Sequence, residues 1–193
     1  MVAEPRVYLT PEAYLDLERQ GAEKHEYIDG TLVAMVGGSE QHGLIQVGIS
    51  SLLRAALRSR GCYVYPSDVR IGIPAANIYT YPDISVVCGP RQFAGERRDT
   101  LLNPILLVEI LSPSTERYDR GKKFAHYRRI PTLQEYVLVA QDAPLIEHYV
   151  RQPDGTWRWA AVEGLDETIT LPTIGCTLPF AEVYDQVEFS TEE

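Results

Sequence analysis

The sequence predicts one mixed α+β (α/β) domain, a mixed β-sheet flanked by helices, and three observations carry that expectation. Apolar runs such as Ile84-Ser85-Val86-Val87 and Ile105-Leu106-Leu107-Val108 have the length and continuity of buried strands. Between such runs lie stretches with apolar residues at helical spacing, preceded by helix start signals. At 193 residues and 45% hydrophobic content, the chain supplies the core of a single domain, 1–193, with no repeat, low-complexity tract or linker to divide it.

The elements follow in chain order. Thr10-Pro11-Glu12 opens a first helix with a hydroxyl N-cap and a proline at the first position. Glu26 to Met35 reads as a hairpin turning at Asp29-Gly30, a pair suited to positive φ. A second helix is expected from Ser39 or Gln41 to about Arg58, with Leu44, Val47, Leu52, Ala55 and Ala56 as its apolar stripe. Strands follow over 62–73, 81–88 and 105–111. Asp119 is the expected N-cap of a helix over 119–129 that Pro131 ends. Strands over 135–140, 145–151 and 156–162 complete the pattern, the last two joined by Pro153-Asp154-Gly155.

Composition narrows the function classes. No apolar run approaches a membrane span, and Met1-Val2-Ala3-Glu4-Pro5-Arg6 lacks the apolar stretch of a signal peptide, so a cytoplasmic protein is expected. Cys62, Cys88 and Cys176 are odd in number and far apart, which reads as reduced core thiols. The net charge of −9 argues against tight non-specific DNA binding. Its distribution is uneven, however. Nine of the 18 basic residues fall in 91–129 against five acids, whereas 154–193 carries nine acids, Glu192 and Glu193 among them, and only Arg158. A positive local field around 91–129 is therefore compatible with an acidic whole.

Two acids stand out because of their neighbours. Asp83 follows Tyr81-Pro82 and leads into an apolar strand, and Glu109 lies inside Ile105-Leu106-Leu107-Val108-Glu109-Ile110-Leu111. A carboxylate in a buried strand is costly unless something binds it, and two on neighbouring strands suit a shared divalent cation. The other reading pairs Glu109 with an arginine and leaves Asp83 to cap a turn; both stay open at this level. Downstream, Asp119, Lys123 and Tyr127 fall at i, i+4 and i+8, one face of a helix, and Lys122 and Lys123 are two of only three lysines in the chain. Two acids and a lysine are the parts needed for metal-assisted phosphodiester cleavage, while a solvated basic helix face explains the lysines equally.

The sequence resembles the Uma2 family (the DUF820 group) of the PD-(D/E)xK restriction-endonuclease-like superfamily. The matching segments are His25-Glu26-Tyr27-Ile28-Asp29-Gly30, Ser39-Glu40-Gln41-His42, Pro82-Asp83-Ile84-Ser85-Val86-Val87, Val108-Glu109-Ile110-Leu111-Ser112-Pro113, Asp119 to Tyr127, and Glu135-Tyr136-Val137-Leu138. The resemblance implies a restriction-endonuclease-like core and a Mg²⁺- or Mn²⁺-dependent endonuclease that hydrolyses DNA phosphodiester bonds. Asp83 and Glu109 would be metal ligands, with the Ile110 carbonyl a third, and Lys123 the positioning or charge-stabilising group. Glu26, His42, Asp119 and Tyr127 are further site candidates, and Gln41 a weaker one. DNA and a second copy of the chain, as a homodimer, are the expected partners. One feature departs from the superfamily pattern: the lysine two residues after the glutamate, on the same strand face, is replaced by Leu111. That departure, with the −9 charge, keeps open a non-catalytic binding module, or a metal-dependent hydrolase of another substrate.

Three further residues have structural alternatives. Asp68 is either a site acid or the partner of Arg70, and Trp157 and Trp159 alternate on a strand as packing residues rather than base-stacking ones.

Overall fold

Thr10 Oγ1 accepts from the Ala13 amide at 3.2 Å and starts α1 (Pro11–Gln20), as its capping chemistry predicts. The computed structural model describes residues 8–35 and 37–189; Met1–Arg6, Glu192 and Glu193 lie outside them. β1 (His25–Ile28) and β2 (Thr31–Ala34) form the expected hairpin, with Asp29 at φ 45° and Gly30 at φ 89°. Both central residues at positive φ is the primed turn that matches strand twist. Ser39 Oγ accepts from the His42 amide at 3.1 Å and caps α2 (Glu40–Leu57).

The apolar stripe of α2 differs from the expected one. Ile45, Ile49, Leu53 and Leu57 face the core at i, i+4, i+8 and i+12, whereas Val47 is 66% exposed. Apolar residues occupy more than one side of this helix, so only the partner surface decides which side is buried. Each fully buried Leu or Ile side chain contributes on the order of 2 kcal/mol. Gly48 permits the packing at the helix flank, since a Cβ there would lie 2.9 Å from the Val183 carbonyl.

The stretch 62–73 is two strands rather than one. β3 (Cys62–Pro66) and β4 (Arg70–Ile73) are separated by a turn at Ser67-Asp68 and enter different sheets. Then come β5 (Ile78–Thr80), β6 (Ile84–Cys88), the short β7 (Thr100–Leu101) and β8 (Leu106–Leu111). The helical segment is α3 (Glu116–Tyr118), a π-helical stretch Asp119–Lys123, and α4 (Phe124–Tyr127). β9 (Glu135–Ala140), β10 (Leu145–Arg151) and β11 (Trp157–Glu163) lie where the sequence places them. The hairpin β12 (Thr168–Leu171) and β13 (Cys176–Pro179), and α5 (Phe180–Val183), are additional to the elements expected from sequence.

The six-stranded sheet runs β11-β10-β9-β8-β6-β3, and the five-stranded sheet β2-β1-β5-β4-β7. In the larger sheet the β8–β9 pair is parallel and the other pairs are antiparallel. One face of it, with Ile84, Val86, Leu106, Val108 and Ile110, packs under α2, α5 and the β12–β13 hairpin. The other face, with Leu107, Leu111, Tyr136 and Leu138, packs against Ile71, Ile73, Ile78 and Leu101 of the smaller sheet and against Tyr127.

Two further expectations are corrected. Cys62 and Cys88 are directly opposite in the β3–β6 ladder and are joined by a disulfide, while Cys176 is free and buried. Their separation of 26 residues hides a pairing that strand register creates. Asp68 pairs with Lys24 at 2.5 Å, not with Arg70, which bonds Asp99 at 2.9 Å. Among the described residues no helix is long and apolar enough to cross a membrane.

Asp99 joins Arg19 of α1 to the buried Arg70. Partial burial pushes its carboxyl up, but the hydrogen bond from Arg19 and the charge of Arg70 outweigh this and hold it below the ordinary range. A depressed carboxyl contributes stability that is present above its unfolded value, about 3.9, and lost as pH falls through the folded value. Asp99→Asn is therefore expected to cost about 2 kcal/mol at pH 7, or about 6 °C in Tm, because charge-assisted hydrogen bonds are lost. Thermal melts at pH 7 and in acid check this, with the difference shrinking below about pH 4.

Candidate active site

Asp83 owes its position to strand register. In the β6–β8 ladder Ile84 opposes Val108, so the next residue out, Asp83, stands across from Glu109. Its Oδ2 accepts from the Ile110 amide at 2.7 Å, fixing the carboxylate against the β8 backbone. Its Oδ1 lies 3.2 Å from His42 Nε2, and its carbonyl accepts from Gln46 Nε2 at 2.9 Å. His42 and Gln46 are one turn apart on α2, so the capped start of that helix clamps the Pro82-Asp83 turn from above. The His42 imidazole is raised above its ordinary value, chiefly by the hydrogen bond to Asp83, against the opposing effect of burial.

Glu109 alternates with Val108 and Ile110 and faces the inner side of the six-stranded sheet, where it is 3% exposed. Leu111 lies two residues on, on that same face, and packs into the apolar cluster there. The cation comes from the helical segment. Lys123 Nζ is 2.9 Å from Glu109 Oε1, 3.3 Å from Glu26 Oε1 and 3.5 Å from Asp119 Oδ1. Lys122 is exposed. Tyr127 donates its hydroxyl to Glu109 Oε1 at 2.7 Å, and Thr80 donates to Glu26.

The helical part of the expectation needs one correction. Asp119 does not cap a helix; it is in helical conformation at the start of the π stretch, 2% exposed. The helical run begins at Glu116, and the wider π turn carries Asp119 and Lys123 inward together. π stretches of this kind are frequent at functional sites.

The charge balance is unusual for an interior. Glu26, Glu109 and Asp119 surround one ammonium, with Asp83 near by. Burial opposes the charge on Lys123, but Glu109, Glu26 and Asp119 together hold its proton well above the ordinary range. Glu109 is raised well above the carboxylate range: complete burial, with Asp119 and Asp83 adding, outweighs Lys123. Asp119 is raised by burial too, and the Lys123 ammonium stands 3.5 Å from its Oδ1. A buried excess of carboxylate over a single ammonium is a chemistry that suits a hard cation.

The structure thus joins Glu109, Lys123, Glu26, Asp119 and Tyr127 in one contact cluster and sets Asp83, with His42, beside it against the Ile110 amide; Gln41, half-buried at the start of α2, takes no part in these contacts. Gln46 and Thr80 were missed. The spacing of Gln46 from His42 was a usable signal for the first, whereas Thr80 depends on the pairing of β5 with β1. Trp157 packs edge-on against Phe124, while Trp159 is 55% exposed and donates Nε1 to Glu147 at 3.1 Å.

Two sheets, and an acid–lysine cluster held on the inner face of the larger one, define a protein of the restriction-endonuclease-like fold class. The chain belongs to the Uma2 family: the family profile, described as "Putative restriction endonuclease", matches residues 11–181. It is 40% identical over 183 residues to uncharacterized protein slr1290 of Synechocystis sp., covering 94% of each chain. It is 35% identical over 157 residues to uncharacterized protein sll1609 of the same organism, covering 81% of this chain and 89% of that one. Its fold matches the crystal structure of a protein titled a putative nuclease belonging to DUF820, from Anabaena variabilis. That match has a TM-score of 0.76 at 21% identity and covers 93% of this chain and 99% of the other.

Proposed function

We propose that the chain is a Mg²⁺- or Mn²⁺-dependent endonuclease that hydrolyses DNA phosphodiester bonds. The observation that carries the reading is the buried Glu109–Lys123 pair, Lys123 Nζ 2.9 Å from Glu109 Oε1, with Asp83 bonded to the neighbouring Ile110 amide and close enough to raise the Glu109 carboxyl. The description of the family as putative restriction endonucleases and of the Anabaena protein as a putative nuclease supports the same class.

The residues fit a magnesium-sized cation in a limited way. Among the described residues no group of three or more His, Cys, Asp or Glu side chains is arranged as a metal centre. The ligands would then be Asp83, Glu109 and the Ile110 carbonyl, with water completing the shell, as magnesium prefers. Bound there, the ion would polarise the scissile phosphate and lower the pKa of an attacking water.

The protein's own groups do the rest. The Ile110 amide and His42 hold the two Asp83 oxygens, and Tyr127 holds Glu109 Oε1, so neither carboxylate needs to reorganise. Lys123 supplies the positive charge that the Leu111 position lacks, orienting the water or offsetting charge that develops on the phosphate. A homodimer would present one such site to each strand of a duplex.

The competing reading, a non-catalytic binding module, is favoured by one observation: Lys123 itself neutralises part of the carboxylate cluster. Plasmid nicking in Mg²⁺, Mn²⁺ or EDTA separates the two. Cleavage by the wild type in metal only, with a loss of about 100-fold or more in Asp83→Asn, is the expected result. Metal-independent cleavage, or none by the wild type in either metal, would overturn it.

A further inference from the structure

The sheet face that holds Glu109 continues outward to the edge strand β3, and there it changes character. In the β3–β6 ladder Tyr65 opposes Ser85 and Tyr63 opposes Val87. Val87 belongs to the inner apolar cluster, so Tyr63 and Tyr65 stand on the face that Glu109 occupies. Their rings stack at 6.5 Å with an interplanar angle of 12°, and Tyr63 is 42% exposed.

Arginines interleave with these rings. The Arg91 guanidinium lies 3.8 Å from the Tyr63 ring centroid, and its Nη1 donates to the Tyr65 hydroxyl at 3.1 Å. Phe93 meets Tyr65 edge-on at 6.4 Å, and the Arg98 guanidinium lies 4.9 Å over Phe93. The segment carrying these groups, 89–99, is firmly built. The Cys62–Cys88 disulfide closes its base. The buried Asn103 then accepts from the Gln92 amide at 2.8 Å and donates to the Pro90 carbonyl at 2.9 Å.

Most of an acidic protein's surface repels a polyanion, yet residues 89–98 carry Arg91, Arg97 and Arg98 against Glu96 alone. Stacked aromatic rings interleaved with guanidinium groups are the recognition surface of unpaired nucleobases, since every base has a π-face and every phosphate a charge. The geometry points to Tyr63 and Arg91 as a stacking platform for an unpaired base of a nucleic-acid strand whose scissile phosphate lies at Asp83–Glu109. From strand spacing, Tyr63 stands about 15 Å from that pair, within reach of a strand only a few nucleotides long. The inference rests on the nuclease reading for its ligand, but the platform can be tested without cleavage.

The test is fluorescence anisotropy of a short fluorescein-labelled oligo-dT in EDTA. Tyr63→Ala and Arg91→Ala are each expected to weaken binding about tenfold, and Tyr63→Phe, which keeps the ring, to recover most of the loss. Tyr63 is exposed and Arg91 half-buried, so equal melting temperatures of the variants verify the folds. Wild-type affinity in Tyr63→Ala, or no recovery in Tyr63→Phe, overturns the platform. Displacement of the oligonucleotide by poly-glutamate at equal charge concentration also overturns it, assigning the face to an acidic protein segment. Ring-dependent binding by a protein that cleaves in no metal sinks the nuclease reading and leaves the platform standing.

Discussion

Lys123→Met is expected to lower Tm by about 10 °C in metal-free buffer and to reduce cleavage by about 100-fold or more. Methionine keeps the length of the side chain but removes the only cation facing Glu26, Glu109 and Asp119 among the described residues. Removing one partner of a buried ion cluster costs about 3 kcal/mol or more, which in a chain of this size is the stated shift. Part of the cost is relieved by protonation, because Glu109 and Asp119 are already raised by burial. If the cluster also binds metal, Mg²⁺ should raise the Tm of the variant more than that of the wild type, since a bound cation replaces the lost charge. Lys122, exposed at the preceding position, should change Tm by no more than about 1 °C when replaced by alanine, and should act through DNA affinity alone. Reversal of the two results would assign the charged group to Lys122.

Glu109→Gln is expected to abolish cleavage and weaken metal binding while leaving metal-free stability unchanged or higher. Complete burial, then Asp119 and Asp83, raise the Glu109 carboxyl well above its ordinary value against the pull of Lys123. For an acid with a raised folded value, stability is present in full below the unfolded value of about 4.3 and is lost as pH rises through the folded one. At neutral pH and above, the neutral amide is therefore the better-tolerated side chain, and it can still accept from Tyr127. Its advantage disappears in acid, where Glu109 is itself neutral. Melting curves across pH and nicking assays measure the two sides of this trade between stability and function. Unchanged cleavage in Glu109→Gln would move the chemistry elsewhere in the molecule.

Much of this site is legible in the amino-acid sequence. Glu109 can be singled out because a single acid interrupts an apolar strand, and such an interruption has few physical excuses. Asp83 is legible from its place just ahead of the next apolar run. Lys123 follows from helical spacing with Asp119 and Tyr127, which holds closely enough through a π stretch for both to reach Glu109 or its cation. The parts that differ share one cause. The expected stripe of α2 is out of phase because Val47 and Ile45 are equally apolar, and only the sheet beneath decides which is buried. Strands β3 and β4 read as one because a break between two sheets leaves little trace in hydropathy.

Local signals in the chain therefore determined the elements at strong punctuation: the Thr10 cap, the Asp29-Gly30 turn, and the edges of β9 and β10. Those features are set by backbone chemistry within a few residues, which a sequence displays directly. Tertiary structure alone decided what depends on distant partners. It set Asp83 opposite Glu109, brought Glu26 from the second sheet to Lys123, and paired Cys62 with Cys88. Each of these turns on strand register or sheet packing, where a shift of one residue reverses every side chain's face, and no local pattern encodes that choice.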